Sequence, residues 1–193
     1  MRMDGLNRRA VGQTSAALII VLVFAGCMLA LYLWQRWEEE QFQQSLITEP
    51  GVYKVKPVQI TRHTSGEVKL KDGVIYAKGD FDFDVKLDKA FNSTKVKIIF
   101  YVKKISGREK APFFVVPFCR TLRYRWNAYG FNIYLGPGKT YRITLGYPNY
   151  CKVEPEALKI DTGGSPRKPA FDQINFSGAG EYIIYNFTVI IEG

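Results

Sequence analysis

Ala16–Trp34 reads AALIIVLVFAGCMLALYLW, and no charged residue interrupts Ala10–Gln35. About 20 apolar residues rising 1.5 Å each cover the ~30 Å hydrocarbon core of a bilayer, so the run reads as a transmembrane helix over 14–35. It overshoots the apolar core of about 7–15 residues found in a cleaved secretory signal, and it ends in bulky Leu33-Trp34 rather than a small-residue cleavage site. Phe24-Ala25-Gly26-Cys27 has the look of a lipoprotein signal, but Met28–Trp34 stays apolar where a polar tether would begin. Cys27 then reads as a small intramembrane residue.

The flanks of the run orient it. Arg2, Arg8 and Arg9 precede it, and Glu38, Glu39 and Glu40 follow Arg36. Basic residues favour the cytoplasmic side while acidic ones count for little. A cytoplasmic basic leader over 1–13 and an extracytoplasmic C-terminal part follow, in a single-pass protein of the cell membrane. Trp34 and Trp37 suit the outer interfacial belt. Helix-forming Glu and Gln extend the helix as a stalk to about Leu46 within a linker over 36–50, and Glu49-Pro50-Gly51 stops it.

Residues 51–193 read as β-structure. Phe81-Asp82-Phe83-Asp84-Val85-Lys86-Leu87 alternates strictly, which buries one face and wets the other. Asp72-Gly73 joins Glu67–Lys71 to Val74–Lys78 as a hairpin. Lys95–Ile105 reads as a central strand, and Pro112–Phe118 as a short one. Tyr129–Leu135 and Thr140–Gly146 flank Gly136-Pro137-Gly138, which predicts a second hairpin. Residues 161–170 read as a loop, and Tyr182–Ile191 as a long closing strand. Short strands separated by turn signals, with 15% aromatic residues, predict a mainly β fold: an antiparallel β-sandwich of immunoglobulin-like type behind the transmembrane helix.

The net charge is +9, and 23 of the 27 Lys and Arg follow residue 37, against 17 of the 18 Asp and Glu. That excess suits an acidic glycan or another polyanion as partner. Cys119 and Cys151 remain for the exported part. A disulfide between them is expected there, closing a loop worth about 3–4 kcal/mol. His63 is the only histidine and no Cys-x-x-Cys occurs, so a zinc site of the usual type has no support and no cofactor is expected. Asn92, Asn175 and Asn186 each begin an N-x-S/T sequon, as candidate glycosylation sites.

Catalytic motifs are thin. Gly136-Pro137-Gly138-Lys139-Thr140 resembles the tail of a nucleotide-binding loop, but Ile133 stands where its first glycine belongs. Asp161-Thr162-Gly163 resembles an aspartic-protease triplet, yet that chemistry needs two such carboxylates and the chain has one triplet. His63, beside Thr61, Arg62, Thr64 and Ser65, reads as a surface residue in a polar loop. The most distinctive patch lies between Cys119 and Cys151: Arg120, Arg123, Tyr124, Arg125, Trp126, Tyr129 and Arg142. Arginine supplies a charged donor fork and aromatic faces stack on sugars or bases, so these residues form the candidate binding patch.

Asn7-Arg8-Arg9-Ala10, then Val11-Gly12-Gln13-Thr14-Ser15 and an unbroken apolar helix, resemble the N-terminus of archaeal type IV pilin-like proteins with a class III signal. The resemblance implies leader cleavage after Ala10, or after Gly12, and a helix that packs into a filament core beneath a β-domain. Ser15 stands where many pilins carry a glutamate. The primary expectation is a non-enzymatic, membrane-anchored extracytoplasmic protein that binds or assembles through its β-domain. Two others stand behind it, a pilin-like filament subunit and an exported hydrolase built on paired carboxylates that include Asp161.

Overall fold

The computed structural model describes residues 4–119, 124–125, 130–162 and 169–193. It divides into a helical unit ending at Gln44 and a β unit from Ser45 to Gly193. The first unit is a single helix, α1 (Asp4–Gln44). It contains no proline, and its 41 residues extend about 60 Å at 1.5 Å each. Leu18–Gln44 is long and apolar enough to cross a membrane. The large apolar side chains from Leu18 to Trp37 are exposed.

The second unit contains β1 (Gly51–Lys54), β2 (Pro57–Lys71), β3 (Val74–Asn92), β4 (Val96–Ser106), β5 (Phe113–Cys119), β6 (Tyr124–Arg125), β7 (Phe131–Tyr134), β8 (Thr140–Gly146), β9 (Tyr150–Glu154), β10 (Lys159–Thr162) and β11 (Ala170–Ile191). Every ladder between these strands is antiparallel. The β2–β3 hairpin closes through Asp72 and Gly73 with φ of 52° and 77°, the double left-handed turn that matches strand twist. Along β3 the strict alternation buries Phe81, Phe83, Val85 and Leu87 and turns Asp82, Asp84 and Lys86 to the other face.

The strands run β10-β7-β5-β11-β4-β8-β9, and β11 belongs to both halves. Its first part, from Ala170 to Ser177, lies between β3 and β5. Its last part pairs β4 on one side, and on the other β3 as far as Ile184 and then β1 from Thr188. The two halves fold over one another as an antiparallel β-sandwich. β2, β3 and β11 run through both layers, the first completed by β5, β6, β7 and β10 and the second by β1, β4, β8 and β9, with Glu67–Lys71 of β2 and Val74–Lys78 of β3 in the second. The fold line is written in glycine. Gly180 pairs with Gly79 across β11 and β3, and Gly66 and Gly107 flank them on β2 and after β4. Gly180 has φ +131°, and a Cβ there would sit 2.3 Å from the Ser106 carbonyl oxygen. At Gly66, Gly107 and Gly180 a Cβ would fall within 3 Å of a backbone carbonyl oxygen, so these three positions admit no side chain.

Aromatic rings fill the space between the layers. Phe176 contacts Phe83, Phe100, Phe113 and Phe187 with ring centroids 5.6–6.3 Å apart. Phe81, Phe113 and Tyr182 extend the cluster toward the glycine corner. Lys104 points into this core and is fully buried. Its Nζ donates to the carbonyls of Leu135 (2.8 Å) and Arg108 (2.9 Å) and lies 5.6 Å from the Tyr182 ring centre. Burial holds its pKa below the usual lysine value.

Three sequence expectations change here. Gly136-Pro137-Gly138 does not turn a hairpin, because β7 pairs β5 and β10 while β8 pairs β4 and β9. The segment carries the chain from one layer to the other, tied down by Gly138 N–H donating to the Lys104 carbonyl (2.8 Å) and by the Tyr141 hydroxyl accepting from Gly136 N–H (2.9 Å). The Cys119–Cys151 disulfide does not form. Cys119 ends β5 and Cys151 sits on β9, with β11, β4 and β8 between them in the strand order. Finally, the closing strand begins at Ala170, not Tyr182, and pairs inside its own sheet on both sides.

Candidate functional site

Antiparallel register places one polar row across the outer face of the first layer. Arg62 on β2 stands opposite Asp84 on β3, Asp84 opposite Asn175 on β11, and Asn175 opposite Val116 on β5. The neighbouring rows put Ser177 between Asp82 and Phe114, and Gln173 between Lys86 and Phe118. Successive side chains of a strand alternate faces. The same alternation that sends Phe83, Ile174 and Phe176 into the core therefore delivers Asp82, Asp84, Gln173 and Asn175 to this surface.

The groups are tightly joined. Arg62 Nε donates to Asp84 Oδ2 at 2.9 Å, and its terminal nitrogen donates to Asp82 Oδ1 at 2.9 Å. The Asn175 amide donates to Asp82 Oδ1 and Asp84 Oδ1, both at 2.8 Å, and to the Phe83 carbonyl at 3.1 Å. The Thr64 hydroxyl donates to Asp82 Oδ2 (3.0 Å), and Thr61 donates to Gln173 Oε1 (2.7 Å). Partial burial pushes the Asp82 pKa up. Hydrogen bonds from Asn175 and Thr64, with the charge of Arg62, outweigh it and hold the carboxyl below its usual value. The Arg62 pKa is raised, chiefly by its hydrogen bond to Asp84. One cation and two carboxylates leave the network with a single negative charge.

Arg62, Asp84 and Asn175 border a cleft of ≈ 80 Å³ whose far wall is Phe114, Val116 and Phe118. Such a space holds a few waters or the edge of one ligand ring, and is well below the several hundred Å³ of a pocket that engulfs a small molecule. Farther along the same face, Lys159 bonds Asp161 at 2.7 Å and lies 5.6 Å from the Tyr134 ring centre. Asp161, the carboxylate of the protease-like triplet, is thus paired on β10, and Gly163 of that triplet lies outside the described residues.

The patch expected between the cysteines is only partly placed. Arg120, Arg123, Trp126 and Tyr129 lie outside the described residues. The backbone of Tyr124–Arg125 forms β6, opposite Cys119 and Phe118. Arg142 belongs elsewhere: it projects from β8 in the second layer, bonded to Glu154 at 2.8 Å. His63 lies on β2 rather than in a loop, with Nε2 2.9 Å from the Ser65 and Gly66 carbonyls. Of the sequon asparagines, Asn92 and Asn186 are exposed. Asn175 is buried and fully engaged by the carboxylates, so its sequon is closed to a modifying enzyme. Among the described residues, no group of three or more His, Cys, Asp and Glu is arranged to hold a metal. Ala10 lies in α1.

The polar row was absent from the sequence-based candidates. Its signals were present: the i, i+2 spacing of Asp82 and Asp84 between phenylalanines, and of Gln173, Asn175 and Ser177 between Ile174 and Phe176. The register that joins them needs the folded sheet.

No family model and no curated protein sequence matches the chain. Among solved structures, it is similar to a protein of unknown function with a galectin-like fold from Bacillus subtilis, at 9% identity and a TM-score of 0.48, over 75% of this chain and 99% of that one. It is also similar to the carbohydrate-binding module CBM66 from Bacillus subtilis (7% identity, TM-score 0.36, covering 77% and 96%). A third is the low-affinity xylan-binding module CBM86 from Roseburia intestinalis (11% identity, TM-score 0.34, covering 74% and 94%).

Proposed function

We propose that the chain is a membrane-anchored, non-enzymatic binding protein whose extracytoplasmic β-sandwich takes a hydroxyl-rich ligand, a neutral glycan, on the outer face of the first layer. The observation that carries this is the Arg62–Asp82–Asp84–Asn175 network set against Phe114 and Phe118. A sugar hydroxyl both donates and accepts, and here the partly exposed Asp82 carboxylate stands as acceptor beside the partly exposed Arg62 guanidinium as donor. The buried Asn175 amide holds Asp82 directly and Arg62 through Asp84. Val116 and the two phenylalanines give the C–H face of a sugar ring an apolar wall. Within the network Arg62 is compensated by two carboxylates and is not free to hold an acidic ligand.

The same contacts favour binding over hydrolysis. A glycosidase holds one carboxylic acid protonated while the other acts as nucleophile or base. Asp82 and Asp84 share one guanidinium and one amide, and the Asp82 pKa moves down, the wrong direction for a general acid. The apolar stretch of α1 supplies the anchor, with the basic leader inside.

Binding of the detergent-solubilised full chain to an array of neutral oligosaccharides tests the reading. The shallow cleft sets the expected Kd in the micromolar-to-millimolar range. Arg62→Ala should abolish binding, because it leaves two carboxylates unpaired and misdirected. An array with no neutral glycan bound, or binding indifferent to Arg62→Ala and Phe118→Ala, would overturn it.

A further inference from the structure

The second layer presents an outer face of different chemistry. Register sets Tyr185 on β11 opposite Tyr101 on β4, and Tyr101 opposite Arg142 on β8. One step along the strands, Tyr76 on β3 stands opposite Ile183, and Ile183 opposite Lys103. The Tyr101 and Tyr185 rings stack with centroids 5.8 Å apart and planes at 23°, while Tyr76 is 45% exposed. A trough of ≈ 250 Å³ runs beside them, walled by Lys69, Tyr76, Lys78, Ile105 and Ile183.

Charge separates this face from the first. There Arg62 is engaged by two carboxylates and Lys159 by Asp161. Here Lys69, Lys71, Lys78 and Lys103 have no ion-pair partner among the described residues, and Arg142 and Lys152 share the single Glu154. Glu67 and Glu181 sit at one end of the trough and leave the cations in excess. Unpaired lysines on adjacent strands, interleaved with tyrosines, offer positive charge and ring surface together over several strand spacings of ~4.8 Å.

We infer that this outer face of the second layer is a separate binding surface, for an acidic polysaccharide chain. Free ammonium groups match repeated carboxylate or sulfate groups, and half-exposed tyrosines give pyranose rings a flat support with hydroxyl edges. A single-stranded nucleic acid fits less well. Its bases need separate ring platforms, whereas Tyr101 and Tyr185 each cover one face of the other. The inference stands on residues distinct from the Arg62 network and survives or fails apart from it.

Fluorescence anisotropy of labelled polygalacturonate with the detergent-solubilised full chain tests it, with neutral dextran and polythymidylate as comparators. The expected result is binding of polygalacturonate by the full chain and by its Arg62→Ala variant, which lacks the first face's neutral-glycan site. That variant should not bind dextran, and polygalacturonate binding should weaken as salt rises. Lys69→Glu with Lys103→Glu should lower affinity by ~10-fold or more. Tyr76→Ser with Tyr185→Ser, which leaves the charge unchanged, should lower it by ~5-fold or more, and Tyr76→Ser alone, at an exposed position, repeats the measurement without touching the stacked pair. An unchanged melting temperature certifies each variant as folded. Equal binding of dextran by the Arg62→Ala chain, tighter binding of polythymidylate, or loss on Arg62→Ala but not on the lysine changes would overturn the inference. So would full affinity in the tyrosine variants, which would reduce the effect to unspecific charge attraction.

Discussion

The rings of Phe176 and Phe187 meet edge to face with centroids 6.3 Å apart, although both belong to β11. Along a straight strand their separation would be roughly 36 Å. The strand must therefore double back, and it does so between Gly178 and Gly180 and at the irregularity around Asn186, whose φ is +55°. One strand contributes core rings to both layers. Phe176→Ala removes contacts with four other rings at once and should cost about 3–5 kcal/mol, measured by urea denaturation of the β unit in the full chain.

The fold line makes a second, sharper demand. Gly180→Ala places a methyl group 2.3 Å from the Ser106 carbonyl oxygen at φ +131°. We expect a loss of about 2–4 kcal/mol, larger than for Gly138→Ala, where φ is also positive but nothing lies within 4 Å. Equal losses at the two positions would mean that strain alone matters and the strand crossing does not.

Asp82 links the first face to pH. Its folded pKa is lowered, so its contribution is present above the unfolded value near 4 and is lost as pH falls through the folded value. Carboxyl chemical shifts should show Asp82 titrating below an ordinary aspartate. Arg62→Ala should move that titration upward, toward the ordinary value.

At the alkaline end the sign reverses. Burial pushes the Cys151 thiol and the Tyr182 hydroxyl each up to about 12. Both stay protonated in the folded protein while the unfolded chain ionises, from about pH 8.5 for cysteine and 10 for tyrosine. Stability is therefore full below about pH 8.5 and falls as pH rises toward 12. Lys104, with a lowered pKa, acts in the opposite sense only up to about 10.4. Melting temperature should drop through pH 9–11, and Cys151→Ala should flatten the first part of the drop. The same protein, denatured without reductant, should react with a thiol reagent at Cys119 and at Cys151.

The leader gives a prediction of another kind. Intact mass of the protein from its native membrane should begin at Met1 or Arg2 if α1 is a plain signal anchor. A start at Val11 or Gln13 would make pilin-like assembly through the helix the leading function.

The sequence carries the fold at the level of periods. Unbroken hydropathy marks α1, and the alternation from Phe81 to Leu87 marks which face of β3 is core. Asp72-Gly73 marks its own turn. Longer-range choices escaped because local chemistry does not encode them. Gly136-Pro137-Gly138 looks the same whether it closes a hairpin or crosses between layers. What decides is Lys104, more than 30 residues earlier, reaching the Leu135 carbonyl. The first half of β11, residues 171–181, carries no assignment from the sequence because Gly178, Gly180 and alternating polar residues dilute its strand signal. The candidate site was missed for the same reason: Arg62, Asp84 and Asn175 become neighbours only through the register of three strands.

Every neighbour of β11, namely β1, β3, β4 and β5, precedes it in the chain. A ribosome releases residues in order, so the central ladder of both layers must wait until 170–191 have emerged. Until then the earlier strands have no common spine, and the low-entropy local pairings they can make, such as the β2–β3 hairpin, hold no sandwich together. Closure of the β unit is therefore tied to the arrival of 170–191, and a chain released only as far as β10 holds hairpins without the ladder that joins them.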